Sequence, residues 1–169
     1  THKHHVYNSG KVDILKSAAI YGANGAGKSS LIKAIEFLQE SVINGGIYKS
    51  VNDKKFKLDK ANELKPTKFE IEFTVDKKIY AYGVSFNNLI VLEEWLYESG
   101  ITIDDKMIFE RKTLKSGKQS IKMSDKYQKT QKQKLLIELM EDNLLKSNEL
   151  FLGKTNELKI KEISSAKNV

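Results

Sequence analysis

Nine consecutive residues constrain this chain more than any other feature: Gly22-Ala23-Asn24-Gly25-Ala26-Gly27-Lys28-Ser29-Ser30. They match G-x-x-x-x-G-K-[ST], the phosphate-binding P-loop, which needs a strand before it and a helix after it. The flanks supply both. Ala18-Ala19-Ile20-Tyr21 reads as a short buried strand, the end of a run from Leu15 that feeds the loop. After the loop, Leu31-Ile32-Lys33-Ala34-Ile35-Glu36-Phe37-Leu38 reads as a helix, with Leu31, Ala34, Ile35 and Leu38 sharing a face. That helix should start at Ser29, run to about Val42 and stop at Asn44-Gly45-Gly46.

The residue types fit one chemistry. A triphosphate is dense negative charge, and such a loop holds it with backbone N–H groups. Gly22 permits the sharp exit from the strand, and Gly25 and Gly27 permit the curl, because no Cβ obstructs the approach. The first turn of the following helix leaves N–H groups unpaired and aims a partial positive charge at the anion. Lys28, the catalytic candidate, would reach the β- and γ-phosphates. The Ser29 hydroxyl would coordinate Mg²⁺, and Ser30 would bond the α-phosphate. Gly22, Ala23, Asn24, Gly25, Ala26 and Gly27 complete the cofactor-binding set, with ATP and Mg²⁺ the expected cofactors.

At 169 residues the chain is long enough for one domain with a real core. No apolar run approaches the roughly 18–20 residues that cross a bilayer. The absence of cysteine excludes disulfides and thiolate metal sites and is compatible with a cytoplasmic location. His2, His4 and His5 cluster at the N-terminus, as a metal site or as a frayed basic end. The net charge of +7 is local: Arg111 to Lys134 holds nine basic residues against Asp125, a net +8, and the rest of the chain sums to −1. That segment is either a contact for DNA or RNA phosphates or a solvated lysine face.

Residues 1–13 give no clear element, and 47–65 read as a charged, irregular crossing. From Pro66 the texture changes. Phe69, Ile71, Phe73 and Val75 alternate with charged or polar neighbours, and Asp76-Lys77-Lys78 makes a turn. Tyr80, Tyr82, Val84 and Phe86 alternate again, and Asn87-Asn88 turns the chain into Leu89–Tyr97. Met107–Arg111 and Gln119–Met123 follow as strands, with a turn at Ser116-Gly117. Consecutive strands with short turns form an antiparallel meander, a layer distinct from the parallel sheet behind a P-loop. From Asp125 the pattern turns helical, with Leu136, Leu139, Met140, Asn143 and Leu144 on one face, and Leu145, Leu150, Phe151 and Leu152 extending the apolar surface. A last short helix is expected from Asn156 to Ser164.

Taken in order, several segments carry a family likeness: Leu15 to Asn24, Phe69-Glu70-Ile71-Glu72-Phe73, Tyr80-Ala81-Tyr82-Gly83-Val84, Glu94-Trp95-Leu96-Tyr97, Phe109-Glu110-Arg111 and Asn148-Glu149-Leu150-Phe151-Leu152. The loop itself, G-x-N-G-x-G-K-S, is similar to those of ABC- and SMC-type ATPase heads. The chain resembles prokaryotic AAA-family ATP-binding proteins with ABC/SMC-like heads, relatives of OLD-type ATPases that are often encoded beside nucleases or toxins in phage-defence loci. The resemblance implies an α/β P-loop NTPase with an antiparallel β-meander subdomain and C-terminal helices. It divides a single partial head into a P-loop unit (12–46), the meander (66–123) and a helical segment (124–165). It also implies ATP hydrolysis by two heads sandwiching nucleotide in a homodimer, and a nuclease or toxin effector. The family's Mg²⁺-binding Asp, water-activating Glu and signature Ser lie beyond the matched region, so the chain is expected to be the N-terminal lobe of a longer ATPase, inactive alone.

Two segments imitate the missing acids: Leu89-Ile90-Val91-Leu92-Glu93-Glu94 and Ile101-Thr102-Ile103-Asp104-Asp105. Both fall inside the meander and read as exposed strand ends, although Glu93 or Glu94 could serve a self-sufficient small P-loop enzyme. Ser165-Ala166-Lys167 echoes a guanine-binding loop without its Asn-Lys-x-Asp companion. The aromatics Tyr80, Tyr82, Phe86, Trp95 and Tyr97 read as one buried sheet face rather than an adenine-stacking surface.

Overall fold

A computed structural model describes residues 3–10, 12–55, 61–100 and 104–155. After a turn of 3₁₀ helix at Lys3–His5, strands β1 (Val6–Asn8) and β2 (Asp13–Leu15) form an antiparallel hairpin with Val6 opposite Leu15. Sequence periodicity gave this region no element because side chains build it. Asn8 Nδ2 donates to Asp13 Oδ1 (2.7 Å), the Asn8 side-chain oxygen accepts from Gly10 N–H (2.8 Å), and Gly10 turns at φ 85°.

The strand expected at Ala18–Tyr21 is not formed. Residues 17–23 carry no regular structure, and among the described residues nothing pairs with them. Ile20 is 57% and Tyr21 91% exposed. A three-to-four-residue apolar run becomes a strand only when a neighbouring strand takes its N–H and C=O groups.

Helix α1 spans Lys28–Asn44. It closes in a Schellman motif: Gly45, at φ 73°, donates to Val42 O, and Gly46 N–H donates to Ser41 O (2.9 Å). The expected apolar face is corrected. Leu38 and Ser41 are buried, and Phe37 and Val42 pack on the core, but Leu31 and Ile35 are exposed along with Ile32. The helix is apolar on two sides in its first half, and only its second half lies on the sheet. A 3₁₀ turn at Asn52–Lys54 and the four-residue α2 (Ala61–Leu64) interrupt the charged crossing.

The meander forms as its alternation requires. Strands β3 (Thr67–Val75), β4 (Lys78–Asn87), β5 (Ile90–Glu98), β6 (Lys106–Thr113) and β7 (Gln119–Met123) make a five-stranded sheet in chain order, every pair antiparallel. The β3–β4 connection needs positive φ at Asp76 (48°) and Lys77 (63°), which is the two-residue hairpin geometry that matches strand twist. One sheet face carries Tyr80, Tyr82, Val84, Phe86, Leu96 and Phe109 into the core. Phe37 of α1 reaches this face, stacking with Phe69 and Phe86 at centroid distances of 5.7 and 5.8 Å. The expected single aromatic face divides by register. Trp95 lies opposite Gly83 and Tyr97 opposite Ala81, on the other side of the sheet from Tyr80, Tyr82 and Phe86.

A second 3₁₀ turn (Asp125–Tyr127) leads into α3 (Gln131–Leu139), which starts in a capping box: Thr130 Oγ1 accepts from Gln133 N–H and the Gln133 side chain accepts from Thr130 N–H. A π-turn at Met140–Leu144 follows, then α4 (Phe151–Lys154). The apolar stripe departs from the expected face already within α3, and the π-turn rotates it further beyond Met140. Ile137, Met140 and Leu145 are buried and Leu136 is partly so, while Leu139 and Leu144 face outward. The helix expected at Asn156–Ser164 and the Ser165-Ala166-Lys167 segment lie outside the described residues.

Candidate phosphate-binding site

The loop is curled, not extended. Gly25 (φ 82°) and Gly27 (φ 86°) both adopt the left-handed conformation, which a side chain would strain. Between them the chain turns, with Ala26 N–H donating to Ala23 O (3.2 Å). Gly27 is the N-cap of α1 and brings no capping side chain, and the first helical bond runs from Leu31 N–H to Gly27 O (3.1 Å). The N–H groups of Lys28, Ser29 and Ser30 therefore start the helix without an intrahelical acceptor and point toward the loop mouth.

Lys28 folds back over its own loop. Its Nζ donates to Gly22 O at 2.6 Å and to Ala23 O at 2.7 Å. A Cβ on Gly22 would come within 3.4 Å of Ala26 Cβ and 3.9 Å of Lys28 Nζ, so Gly22 keeps the loop interior open beside the ammonium. The first turn of α1 has no acidic residue. The Lys28 ammonium, the N-terminus of α1 and its unpaired backbone donors thus lie in one exposed stretch that also carries Ser29 and Ser30. The chemistry of this donor set suits a polyphosphate chelating Mg²⁺.

What positions the loop is a buried polar cluster whose assembly the sequence does not announce. Glu94 on β5 is 1% exposed, not an exposed strand end. Its Oε2 accepts from Phe151 N–H (2.6 Å) and its Oε1 from Leu152 N–H (2.9 Å) and Tyr82 OH (3.1 Å). Arg111, opposite Glu94 on β6 and fully buried, brings Nη1 to 3.9 Å from Glu94 Oε2 and donates to Glu149 O, Lys146 O and Gln119 Oε1. Burial pushes the Glu94 carboxyl above its ordinary value against the pull of Arg111 and the two backbone donors, and pushes Tyr82 up as well. The pair clamps residues 146–152 to the sheet. That segment in turn grips the C-terminal end of α1: Ile47 N–H donates to Asn148 O (2.7 Å), Leu150 N–H to Gly45 O (2.9 Å), and Gly153 packs so closely on Gly45 that a Cβ would lie 2.8 Å from its Cα. The helix that presents Lys28 is thereby fixed to the meander. Its sequence signals were the fragments around Glu94, Arg111 and Asn148–Leu152, whose mutual contact needs the fold.

The remaining candidates fall elsewhere. Glu93 faces the opposite side of the sheet, exposed and paired with Lys112 at 3.1 Å. Asp105 accepts from Gly100 N–H (3.0 Å), and Ile101–Ile103 lie outside the described residues. His4 and His5 rings contact each other at 4.0 Å, and His2 lies outside the described residues. Among the described residues no group of three or more His, Cys, Asp or Glu side chains could hold a metal ion.

A family model described as "AAA domain, putative AbiEii toxin, Type IV TA system" matches residues 17–167. No curated protein and no solved structure matches the chain. Among the described residues no helix is long and apolar enough to cross a membrane.

Proposed function

We propose that this chain, which belongs to the AAA-domain family matched over residues 17–167, binds ATP–Mg²⁺ at residues 22–30 as the nucleotide lobe of an ABC/SMC-like ATPase. The observation that carries the reading is the curled Gly22–Gly27 loop closing directly onto the N-terminus of α1, with the Lys28 ammonium held over it. Lys28 would reach the β- and γ-phosphates, the unpaired N–H groups at the start of α1 would meet phosphate oxygens, the Ser29 hydroxyl would hold Mg²⁺ and Ser30 would bond the α-phosphate. Bound ATP supplies the phosphoanhydride, and Mg²⁺ neutralises charge on its oxygens.

Glu94 is not the water-activating base, since both its oxygens are taken up inside the core, and Glu93 faces away in an ion pair. Hydrolysis is therefore assigned to a homodimer in which one head sets a Mg²⁺-binding Asp and a water-activating Glu beside this loop and the other head supplies the signature Ser. The exposed apolar residues before the loop (Ile20 and Tyr21) and on the first half of α1 (Leu31, Ile32 and Ile35) support contact with a further protein surface there. In this reading the ATPase drives or gates a nuclease or toxin effector in the cytoplasm, in line with the toxin–antitoxin wording of the family description, and the role in phage defence is carried by the resemblance to OLD-related ATPases.

Calorimetric titration of ATP–Mg²⁺ into the wild-type chain and the Lys28→Ala variant tests the binding step. Loss of one charge-assisted contact, about 1.5–3 kcal/mol, lowers affinity by at least about tenfold. Equal affinity in the two proteins overturns the assignment.

A further inference from the structure

The lysine-rich segment at 111–134 divides in the fold. Arg111 is interior, Lys112 pairs with Glu93, and Lys118 pairs with Asp142 at 3.5 Å. The other six lysines are exposed, and four of them, Lys126, Lys129, Lys132 and Lys134, crowd into nine residues spanning the 3₁₀ turn before α3 and the start of α3. The acid that adjoins that stretch, Asp125, has its Oδ1 3.4 Å from Gln128 Nε2. The first turn of α3 carries no acidic residue, so Lys132 and Lys134 sit at the positive end of the helix dipole. Such placement of a positive charge is unfavourable in the isolated lobe. An external polyanion reverses the sign.

We propose that this edge, Lys126 to Lys134, binds the phosphate backbone of duplex nucleic acid without reading its sequence. Three observations select that partner. Lys129, Lys132 and Lys134 are exposed at and just before the start of α3, so lysine side chains supply the contacts to the anion. Tyr127, the aromatic of this stretch, is buried with its ring under Lys126 (Nζ 4.8 Å from the centroid), which leaves no ring on which to stack the bases of a single strand. The exposed amide of Gln131, beside these lysines, offers a hydrogen bond to a phosphate oxygen, the kind of contact that positions a protein on a duplex. The site lies on α3 and its preceding turn, apart from the loop at 22–30, and it stands whether or not that loop takes ATP.

The test is fluorescence anisotropy of the full chain with a short random duplex, the matching single strand, and phosphatidylserine vesicles, across a salt series. The wild-type chain should bind the duplex with log K falling steeply in log salt. The triple variant Lys129→Gln, Lys132→Gln, Lys134→Gln should bind at least tenfold more weakly at low salt and lose about 2.7 of the slope, at about 0.9 per phosphate contact. Gln matches Lys in helix preference, so circular dichroism of the variant should equal that of the wild type. Lys28→Ala should bind duplex as the wild type does, which separates this edge from the nucleotide site. Duplex binding that is undetectable at low salt, that survives the triple substitution, or that is weaker than binding to the single strand or the vesicles overturns the proposal.

Discussion

Two adjacent glutamates on β5 should differ sharply in what they contribute, and Glu94 is the more informative. Replacing it by Ala removes the acceptor of three hydrogen bonds, from Phe151 N–H, Leu152 N–H and Tyr82 OH, and strands the buried Arg111 guanidinium. Breaking a buried pair on one side costs about 3–5 kcal/mol. Against a total stability of about 5–15 kcal/mol for a domain, that is a large fraction. With a urea slope near 2 kcal/mol/M, the midpoint should fall by about 2 M with the slope unchanged. Glu94→Gln keeps one carbonyl acceptor and should lose about 1.5–3 kcal/mol, which provides a measurable variant if Ala unfolds the chain. Glu93→Ala, which removes only an exposed pair with Lys112, should cost about 0–1 kcal/mol. The pH dependence has a defined sign. Burial holds the folded carboxyl of Glu94 above its unfolded value, so the folded state keeps this proton longer. Its contribution is full below the ordinary carboxylate range and is lost as pH rises through the raised value. If Glu94→Ala unfolds at the same urea concentration as Glu93→Ala, the clamp is not a structural anchor and the reasoning fails.

Three further outcomes follow from local geometry. Gly83→Ala would place a Cβ 2.0 Å from the Trp95 ring, so the indole must leave its seat. The variant should lose about 1–3 kcal/mol by urea denaturation, and its Trp95 fluorescence should shift. Tyr97, whose hydroxyl donates to Glu110, is pushed up to about 12, first by burial and then by that carboxylate. A group raised from about 10 supports the fold below that pH and loses its contribution as pH rises through about 12, so ultraviolet titration should show late phenolate absorbance that Tyr97→Phe lowers by one tyrosine, the buried Tyr82 remaining. Thr130→Ala removes the capping box of α3 and should cost about 0.5–2 kcal/mol, read as a lower melting temperature.

The parts legible in the sequence are those set by short-range chemistry. Asp76-Lys77 and Ser116-Gly117 turned where expected, and the alternation from Phe69 to Met123 located all five strands of the meander. Gly45 and Gly46 stopped α1 as expected. What failed depended on neighbours. Ala18–Tyr21 has strand composition, yet it forms a strand only with a partner strand beside it. The stripe on α3 centres on Ile137 instead of Leu136 and Leu139, and beyond it the π-turn at Met140–Leu144 inserts a residue that no 3.6-residue periodicity anticipates. The aromatics from Tyr80 to Tyr97 separated onto two faces because register, not spacing, decides facing. For the site, the loop was visible because its glycines, lysine and serines are contiguous. The Glu94–Arg111 clamp joins residues from three distant segments and becomes visible only when β5, β6 and the 146–152 segment meet.

The central claim is that the backbone from Gly22 to Ser30 is shaped to hold polyphosphate. Backbone amide resonances followed through an ATP–Mg²⁺ titration test it residue by residue. The account predicts that the largest shifts, and new protection from hydrogen exchange, fall on Gly25 to Ser30, that sodium triphosphate reproduces much of the pattern, and that Lys28→Ala erases it. Shifts that leave these amides untouched while others move would contradict it.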